Sequence, residues 1–421
     1  MHSPLLSLAM IVKDGGQFFA SLLKNARPWV DEIVIGDTGS SDDSVADAHR
    51  HEAEVLTVPW TDDFAAARNT VLDACRGRWI LIMDADEQLA PADWKGLRTW
   101  VEAQDHAQQP VAGVIMTRNY LPGRNHRRGW LPNPEPDPHA LLDGNPAVGF
   151  VPTAKVRIFP NRSGIRFEGQ LHETVETSLR NQAIPTVPLD IPVHHFGMLP
   201  DMCTPGSLEK KKQQYLRLAR RKASTHPHLP CAWAELADCA MACGQDDQAL
   251  TAIERALVLN PLNPDYRLTA AAIHKEAGQL ETARKHLITA MNCGPVSGQV
   301  AAEIAHLQAQ ICLLNNEPEA AGPYLDLALK LVPGHGYFLN TLGAWHLQCG
   351  RGQQALVALQ RARAQVPGAI DPLLNLVVLF MAAGQPEKAE AHLRQADGLE
   401  PDHPRVKAAW SRFEAKYQAT C

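Results

Sequence analysis

The first half of the chain alternates short apolar runs with amphipathic stretches. Apolar runs at Leu5–Val12, Glu32–Ile35, Glu54–Val58, Trp79–Met83 and Val111–Met116 predict strands. Gln17–Arg27, Ser41–Arg50, Asp62–Arg76 and Ala92–Gln104 predict the helices between them. Near-continuous apolar strands separated by helices imply an α/β unit whose mostly parallel sheet is covered on both faces. In such sheets ligands bind beyond the carboxyl ends of the strands, where the strand order reverses. The polar residues that end each strand are therefore the first place to look for chemistry.

The second half repeats. Prolines fall at positions 261, 295, 333, 367 and 401, with spacings of 34, 38, 34 and 34. Twelve residues before them stand Ala249, Ala283, Ala321, Ala355 and Ala389, and five before them Ala256, Ala290, Ala328, Ala362 and Ala396. Gly244, Gly278, Gly350 and Gly384 occupy the position between the two predicted helices of a unit, and Asn316 takes it in the third unit, whose extra four residues account for the longer spacing. The period resembles the tetratricopeptide repeat. Small residues let two antiparallel helices approach, Gly permits the turn, and Pro stops the second helix. One pair cannot bury its own apolar stripe, so five stack into an all-α solenoid, with Pro404–Tyr417 as a solubilising cap. The expected organisation is an α/β domain over residues 1–204 and repeats over 205–421. A solenoid by itself implies only that something is bound or held: an acceptor, the neighbouring domain, or a second copy in a homodimer.

Composition narrows the classes. The chain has 421 residues, 45% hydrophobic and 20% charged, which is globular rather than disordered. A net charge of -6 leaves no basic excess to neutralise phosphates, which argues against nucleic acid as a partner. No apolar run approaches the roughly 18 residues of a spanning helix. The opening LLSLAMIV lacks a basic flank and a small-residue cleavage site, and reads as a first buried strand. Nine cysteines are scattered without a framework, pointing to a reducing cytoplasm, and Cys239 and Cys243, on one face of an Ala-rich helix, are expected to be buried thiols.

The strand ends are acidic. Strand two ends in Asp37-Thr38-Gly39-Ser40-Ser41-Asp42, where Gly39 allows a sharp turn, Ser41 or Asp42 can cap the next helix, and Asp37 stands at the sheet edge. A carboxylate there accepts hydrogen bonds from a base or ribose, or simply closes the turn. The same letters spell an aspartic-protease signature, but that chemistry needs a second such Asp and a β-rich setting, and here a helix follows. Strand four runs into Asp84-Ala85-Asp86-Glu87, and alternation would put Asp84 and Asp86 on one side. Two acids facing one way favour a cation between them, and hard oxygen ligands suit Mg²⁺ or Mn²⁺ bridging to a diphosphate. Phe64, Arg68, Val71, Leu72 and Cys75 share a helix stripe, so Arg68 is predicted to be buried and to pair with Asp37, Asp84 or a phosphate.

These segments, with SLAMIVK at 7–13, DFAAARN at 63–69, Arg157-Ile158-Phe159, Gly169-Gln170-Leu171-His172-Glu173 and His194-His195-Phe196-Gly197, resemble glycosyltransferase family 2, which has a GT-A fold. The closest resemblance is to the bacterial branch in which tetratricopeptide repeats follow, the branch of the sublancin-type peptide S-glycosyltransferases. The resemblance implies nucleoside recognition by Asp37 with Arg68 nearby, the ribose at Asp84, and the metal at Asp86 and His195. It also points to Glu173 as general base, since Phe167, Leu171 and Glu173 would alternate onto one face and desolvate the carboxylate. His172 could orient it.

One departure stands out. The family usually reads Lys-Asn-Glu-Glu after the first strand, and here the text is Lys13-Asp14-Gly15-Gly16, which alters the acids near the nucleotide. Residues 122–152 hold seven prolines with Arg124, Arg127, Arg128 and Trp130, and read as an acceptor lid or a variable loop. Lys210-Lys211-Lys212 reads as a solvated helix face, with phosphate contact as the alternative. The implied activity is inverting, metal-dependent transfer from a UDP-sugar or related donor to a peptide, protein or glycan. The alternative is an inactive nucleotide-sugar-sensing scaffold. A nucleotidyltransferase is disfavoured because the first strand lacks a G-x-G-T-R phosphate loop.

Overall fold

The computed structural model describes residues 4–122, 131–132, 139, 141, 148–199, 207–294 and 296–417. Arg124, Arg127, Arg128, Trp130 and Pro295 lie outside the described residues. The chain divides into two compact units: Met1–Tyr120, Glu135–Asp143 and Pro152–Thr225 form one, and Leu121–Pro134, Gly144–Val151 and His226–Cys421 the other.

The first unit is an α/β fold. Its early elements are β1 (Leu6–Val12), α1 (Gly16–Ala26), β2 (Glu32–Asp37), α2 (Ser44–Arg50), β3 (Glu54–Thr57), α3 (Phe64–Ala74), β4 (Trp79–Ile82), β5 (Glu87–Gln88), α4 (Pro91–Asp105) and β6 (Ala112–Pro122). In chain order there follow β7 (Leu131–Pro132) and β8 (Val148–Pro160), of which β7 and the first residues of β8 fall in the second unit, then α5 (Glu176–Asn181), β9 (Thr186–His195) and α6 (Ser207–Thr225). The sheet order is β3-β2-β1-β4-β8-β6-β9-β5, with β7 paired to β8.

The four leading strands are parallel, as expected. Beyond them the sheet is mixed: β8 is antiparallel to β4, β9 runs parallel to β6, and β5 is antiparallel to β9. Alternation along β1 explains the two-sided core. Leu6, Leu8, Met10 and Val12 pack with Phe19, Leu22, Trp94 and Leu97 in one core cluster. Ala9 faces the other way, with Ala65, Val71 and Leu72 of α3 and with Ile80 and Ile82 of β4. Strands buried on both faces read as unbroken apolar runs, which is why the sequence displayed them.

The second unit contains five antiparallel helix pairs: α7 (Pro230–Ala242) with α8 (Asp246–Leu259), α9 (Pro264–Glu276) with α10 (Leu280–Asn292), α11 (Gly298–Leu314) with α12 (Pro318–Leu331), α13 (Gly336–Gln348) with α14 (Gly352–Gln365), and α15 (Ile370–Ala382) with α16 (Pro386–Leu399). Helix α17 (Pro404–Tyr417) follows them and buries Val406 and Phe413. All ten repeat alanines are at 0% exposure, as close helix approach requires. Asn316 at φ 60 adopts the left-handed turn that Gly244, Gly278, Gly350 and Gly384 adopt at φ 67, 73, 70 and 67. The four extra residues of the third unit lengthen α11, which has 17 residues against 13 in α9 and α13. Cys239 and Cys243 are only half-buried, contrary to expectation, because their face of α7 is not fully covered.

Candidate functional site

The acidic segment after β4 is a turn, and the alternation expected for Asp84 and Asp86 does not apply. Strand β4 ends at Ile82, and Glu87 N–H closes on Asp84 O at 3.1 Å. The two aspartates consequently take different partners. Glu87 anchors the turn from behind: its Oε2 accepts from Asp84 N–H at 2.8 Å and from Arg157 Nη1 at 2.8 Å, while Arg157 Nη2 donates to Glu87 Oε1 and to Thr117 Oγ1. Both ionic side chains are buried, at 1% and 2% exposure, so each needs the other.

Arg68 is buried on α3, as its place on the apolar stripe predicts. Its Nη2 donates to Asp84 Oδ1 and its Nε to Glu173 Oε1, both at 2.6 Å. Burial pushes the Asp84 carboxyl up, but the Arg68 guanidinium, aided by Arg157 and Lys155, outweighs it and holds Asp84 well below the usual carboxylate range. The neighbouring Asn69 grips the same loop, donating to Phe167 O at 3.0 Å and accepting from Phe167 N–H at 2.8 Å. Adjacent residues of the DFAAARN segment thus hold the two ends of one loop.

That loop is not the strand expected from Phe167, Leu171 and Glu173. Glu168 and Thr174 form an isolated bridge, and Gly169 and His172 between them have φ 101 and 55. Glu173 reaches Arg68 from a tight excursion rather than from a pleated edge. Its Oε2 takes no hydrogen bond among the described residues.

Asp86 faces His195. The antiparallel register of β5 and β9 sets Glu87 opposite His195, and Phe196 N–H donates to Asp86 O at 3.0 Å. Asp86 Oδ2 lies 3.2 Å from His195 Nε2, and His195 Nδ1 lies 3.0 Å from Asn119 Oδ1. Asn119 Nδ2 points to Thr153 Oγ1 at 3.0 Å, which leaves Oδ1 to accept from Nδ1–H. Burial would lower the His195 pKa, but Asp86 outweighs it and raises it. Burial likewise pushes the Asp86 carboxyl up, while His195 and Lys211 hold it well below the usual range. A Cβ at Gly197 would come within 1.9 Å of Asp86 Oδ2, so this position leaves no room for a side chain while Asp86 stays where it is.

Asp37 stands apart from these two groups. It ends β2, which is separated from β4 only by β1, or about 10 Å by ordinary strand spacing. Its carboxylate takes Ser40 N–H at 3.0 Å and Gly39 N–H at 3.3 Å. Asp42 takes Ser44 N–H at 3.0 Å at the start of α2. The departing residue Asp14, at φ 51, accepts from Ser41 N–H at 2.7 Å and Ser41 Oγ at 3.0 Å. The Ser41 amide is the main reason its carboxyl lies below the usual range. The altered acid ties the ends of β1 and β2 together.

Lys211, from the triplet read first as a solvated face, reaches the site. Its Nζ lies 3.4 Å from Asp86 Oδ2, and of the triplet only Lys210 is exposed. Burial lowers the Lys211 ammonium's pKa, and Asp86 with Asp84 more than restores it. The signal was helical spacing: Lys211, Tyr215, Leu218 and Lys222 recur at intervals of four, three and four. Asn119, Glu87 and Arg157 were missed, because a buried polar pair looks like any other charged residue until its register is known.

Residues 16–159 match the family model of glycosyl transferase family 2, and 232–273 and 346–412 match tetratricopeptide repeat models. The chain carries a family 2 glycosyltransferase domain followed by tetratricopeptide repeats. A TPR repeat-containing protein of Synechococcus elongatus is 34% identical over 175 residues, covering 41% of this chain and 36% of its own. An uncharacterized glycosyltransferase of Rickettsia felis is 32% identical over 85 residues, covering 20% of this chain and 30% of its own. The matches thus span about a third of these relatives' length. The solved APC/C hetero-tetramer Cut9–Hcn1 is similar with a TM-score of 0.43 and 17% identity, over 49% of this chain and 40% of that one. Glu173, His195 and Lys211 lie beyond the residues matched by the family 2 model. Among the described residues, no helix is long and apolar enough to cross a membrane.

Proposed function

We propose that the family 2 domain transfers a sugar from a nucleotide-diphosphate donor, a UDP-sugar in the first instance, to a peptide, protein or glycan acceptor with inversion. The observation that carries this reading is the approach of Asp86 Oδ2 and His195 Nε2 to 3.2 Å beside the Arg68–Asp84–Glu173 chain. With Nδ1–H given to Asn119, a neutral His195 presents a lone pair at Nε2 toward a carboxylate oxygen. Two such acceptors suit a divalent cation, and Mg²⁺ or Mn²⁺ is the hard ion we propose there. Among the described residues no three His, Cys, Asp or Glu side chains gather as a self-sufficient metal site, so donor oxygens and water would complete the coordination. Such an ion would supply neutralisation of charge on the departing diphosphate.

The remaining roles belong to the chain's own residues. Asp37, at the end of β2, is proposed to read the nucleoside, with Asp84 on the ribose. Arg68 holds Asp84 and Glu173 through two contacts and takes no part in proton transfer. Glu173 is proposed as general base: Arg68 occupies Oε1, and Oε2 accepts the acceptor's proton as the nucleophile attacks the anomeric carbon from the side opposite the diphosphate.

The test is a thermal-shift panel of nucleotide sugars with Mn²⁺, followed by turnover of the stabilising donor. Stabilisation that requires Mn²⁺, and donor hydrolysis or transfer that Asp86→Ala abolishes, is the expected result. Undiminished turnover in Asp86→Ala overturns the mechanism. Donor binding with no turnover in the presence of candidate acceptors favours the nucleotide-sensing scaffold.

A further inference from the structure

We propose that Lys211 is a second cation of the donor site, holding the diphosphate from helix α6, outside the residues matched by the family 2 model. The proposal rests on the donor reading above and adds a residue to it.

Helix α6 is fixed against the same loop and helix that build the site. Lys222 Nζ donates to Leu171 O at 3.2 Å, and Arg217 Nη2 donates to Asp62 Oδ1 at 2.8 Å. Just before them in the helix, the Tyr215 ring meets Phe64 at 6.3 Å and His172 at 6.5 Å. One turn before Tyr215, this anchoring aims Lys211 at Asp86.

The contact it makes there is loose. A charge-assisted N–H···O bond in a settled ion pair runs to about 2.7–2.9 Å, and Lys211 Nζ stands 3.4 Å from Asp86 Oδ2. The ammonium has three donors, its side chain is 36% exposed, and among the described residues it has no other acceptor. Beside Asp84 the buried cations already hold carboxylates, Arg68 those of Asp84 and Glu173 and Arg157 that of Glu87, although Arg68 Nη1 has no partner among the described residues and Lys155 adds its charge to Asp84. Lys211 is the ammonium in contact with Asp86 itself, and it has donor capacity to spare beside the carboxylate proposed to hold the metal. A diphosphate oxygen bound next to Asp86 would take those donors. A fixed positive charge there also stabilises the negative charge that grows on the leaving group.

The test uses the full-length chain and calorimetric titration with UDP, GDP, ADP, CDP and dTDP in Mn²⁺, with the matching monophosphates as controls. Lys211→Met is expected to weaken binding of the preferred diphosphate about tenfold or more, since hydrogen bonds to charged groups are the strong class. Its monophosphate affinity should change less than about twofold, and Lys211→Arg should restore most of the loss. Lys211→Gln repeats the measurement with a polar side chain, and circular dichroism checks the fold of each variant. Wild-type diphosphate affinity in both Met and Gln variants overturns the proposal, leaving Lys211 as a counter-charge for Asp86 alone. Failure of the wild-type chain to bind any of the five diphosphates sinks the donor reading itself, and this proposal with it.

Discussion

His195 Nε2 stands 3.2 Å from Asp86 Oδ2 while its other ring nitrogen is engaged by Asn119 Oδ1 at 3.0 Å. Two residues 109 positions apart meet because β5 and β9 pair in a register that sets Glu87 opposite His195. If this pair holds Mg²⁺ or Mn²⁺, Asn119 fixes the tautomer that makes Nε2 a ligand. Asn119→Ala should then weaken Mn²⁺ affinity by about ten- to a hundredfold, the usual loss for a group that orients a ligand. Paramagnetic resonance of free Mn²⁺ would measure it. Gly197→Ala tests the same pair from the other side, because the added methyl would occupy the space of Asp86 Oδ2. It should abolish metal-dependent nucleotide binding with little change in the circular dichroism.

Arg68 joins Asp84 and Glu173 through two 2.6 Å contacts, so its removal should be felt first in stability. Arg68→Met leaves two carboxylates facing each other without their cation, and breaking a buried pair in this way costs about 3–5 kcal/mol. A drop in the melting transition of the N-terminal unit, followed by its tryptophan fluorescence, would register that loss. A melting temperature equal to wild type would mean that the guanidinium is not the clamp described.

Glu173→Gln separates chemistry from architecture at the same clamp. The amide oxygen still accepts from Arg68 Nε, so the loop should stay in place, while the proton acceptor is lost. Turnover should fall about a hundredfold or more with donor affinity unchanged. A rise in KM for the donor with kcat intact would instead make Glu173 a positioning residue.

Much of this was legible in the sequence, and the limits have physical causes. Strands buried on both faces, such as Leu6–Val12 and Trp79–Ile82, announce themselves as apolar runs. The repeat alanines announce close packing by their period alone. Arg68 was legible because a charge on an apolar stripe demands a partner, though its second partner, Glu173, is 105 residues away and only the fold supplies it. Asp84 and Asp86 were legible as acids but not as divergent ones, since the strand ends before them and a turn sets their directions. Lys211 was read as solvated because three consecutive lysines look alike, and only the packing of α6 distinguishes the middle one.

The turn residues of the repeats give a sharper test of backbone reasoning. Gly350 has φ 70 and Asn316 has φ 60, both in the left-handed region. A β-carbon there costs about 1–2 kcal/mol, and Asn escapes part of that cost through its short polar side chain. Gly350→Ala should therefore destabilise the repeats by about 1 kcal/mol, whereas Asn316→Gly should be neutral or slightly stabilising. Urea titration followed by helical circular dichroism compares the two. No loss at Gly350→Ala, or a clear loss at Asn316→Gly, would mean that the turn conformation is not what selects these residues.

The stacked histidines of the second repeat carry a pH dependence whose sign can be worked out. His274 and His286 have ring centroids 5.3 Å apart at 14°, and Arg267 Nη1 donates to His286 Nδ1 at 3.5 Å. Burial first, then the charges of His274 and Arg267, lower the His286 pKa from 6.5 to about 4. The unfolded chain therefore takes up this proton before the folded chain does. Stability due to the neutral ring is fully present above the unfolded value of 6.5 and is lost as pH falls toward about 4. Because the ring is half exposed, solvent screening limits the effect to the order of 1 kcal/mol. His286→Gln removes the titration but keeps a polar side chain, so the variant should lose less stability than wild type between neutral pH and pH about 4.5. Melting temperatures of both chains across that range would measure the difference. Parallel curves would mean that His286 titrates alike in the folded and unfolded chain, and that the stacked pair does not perturb it.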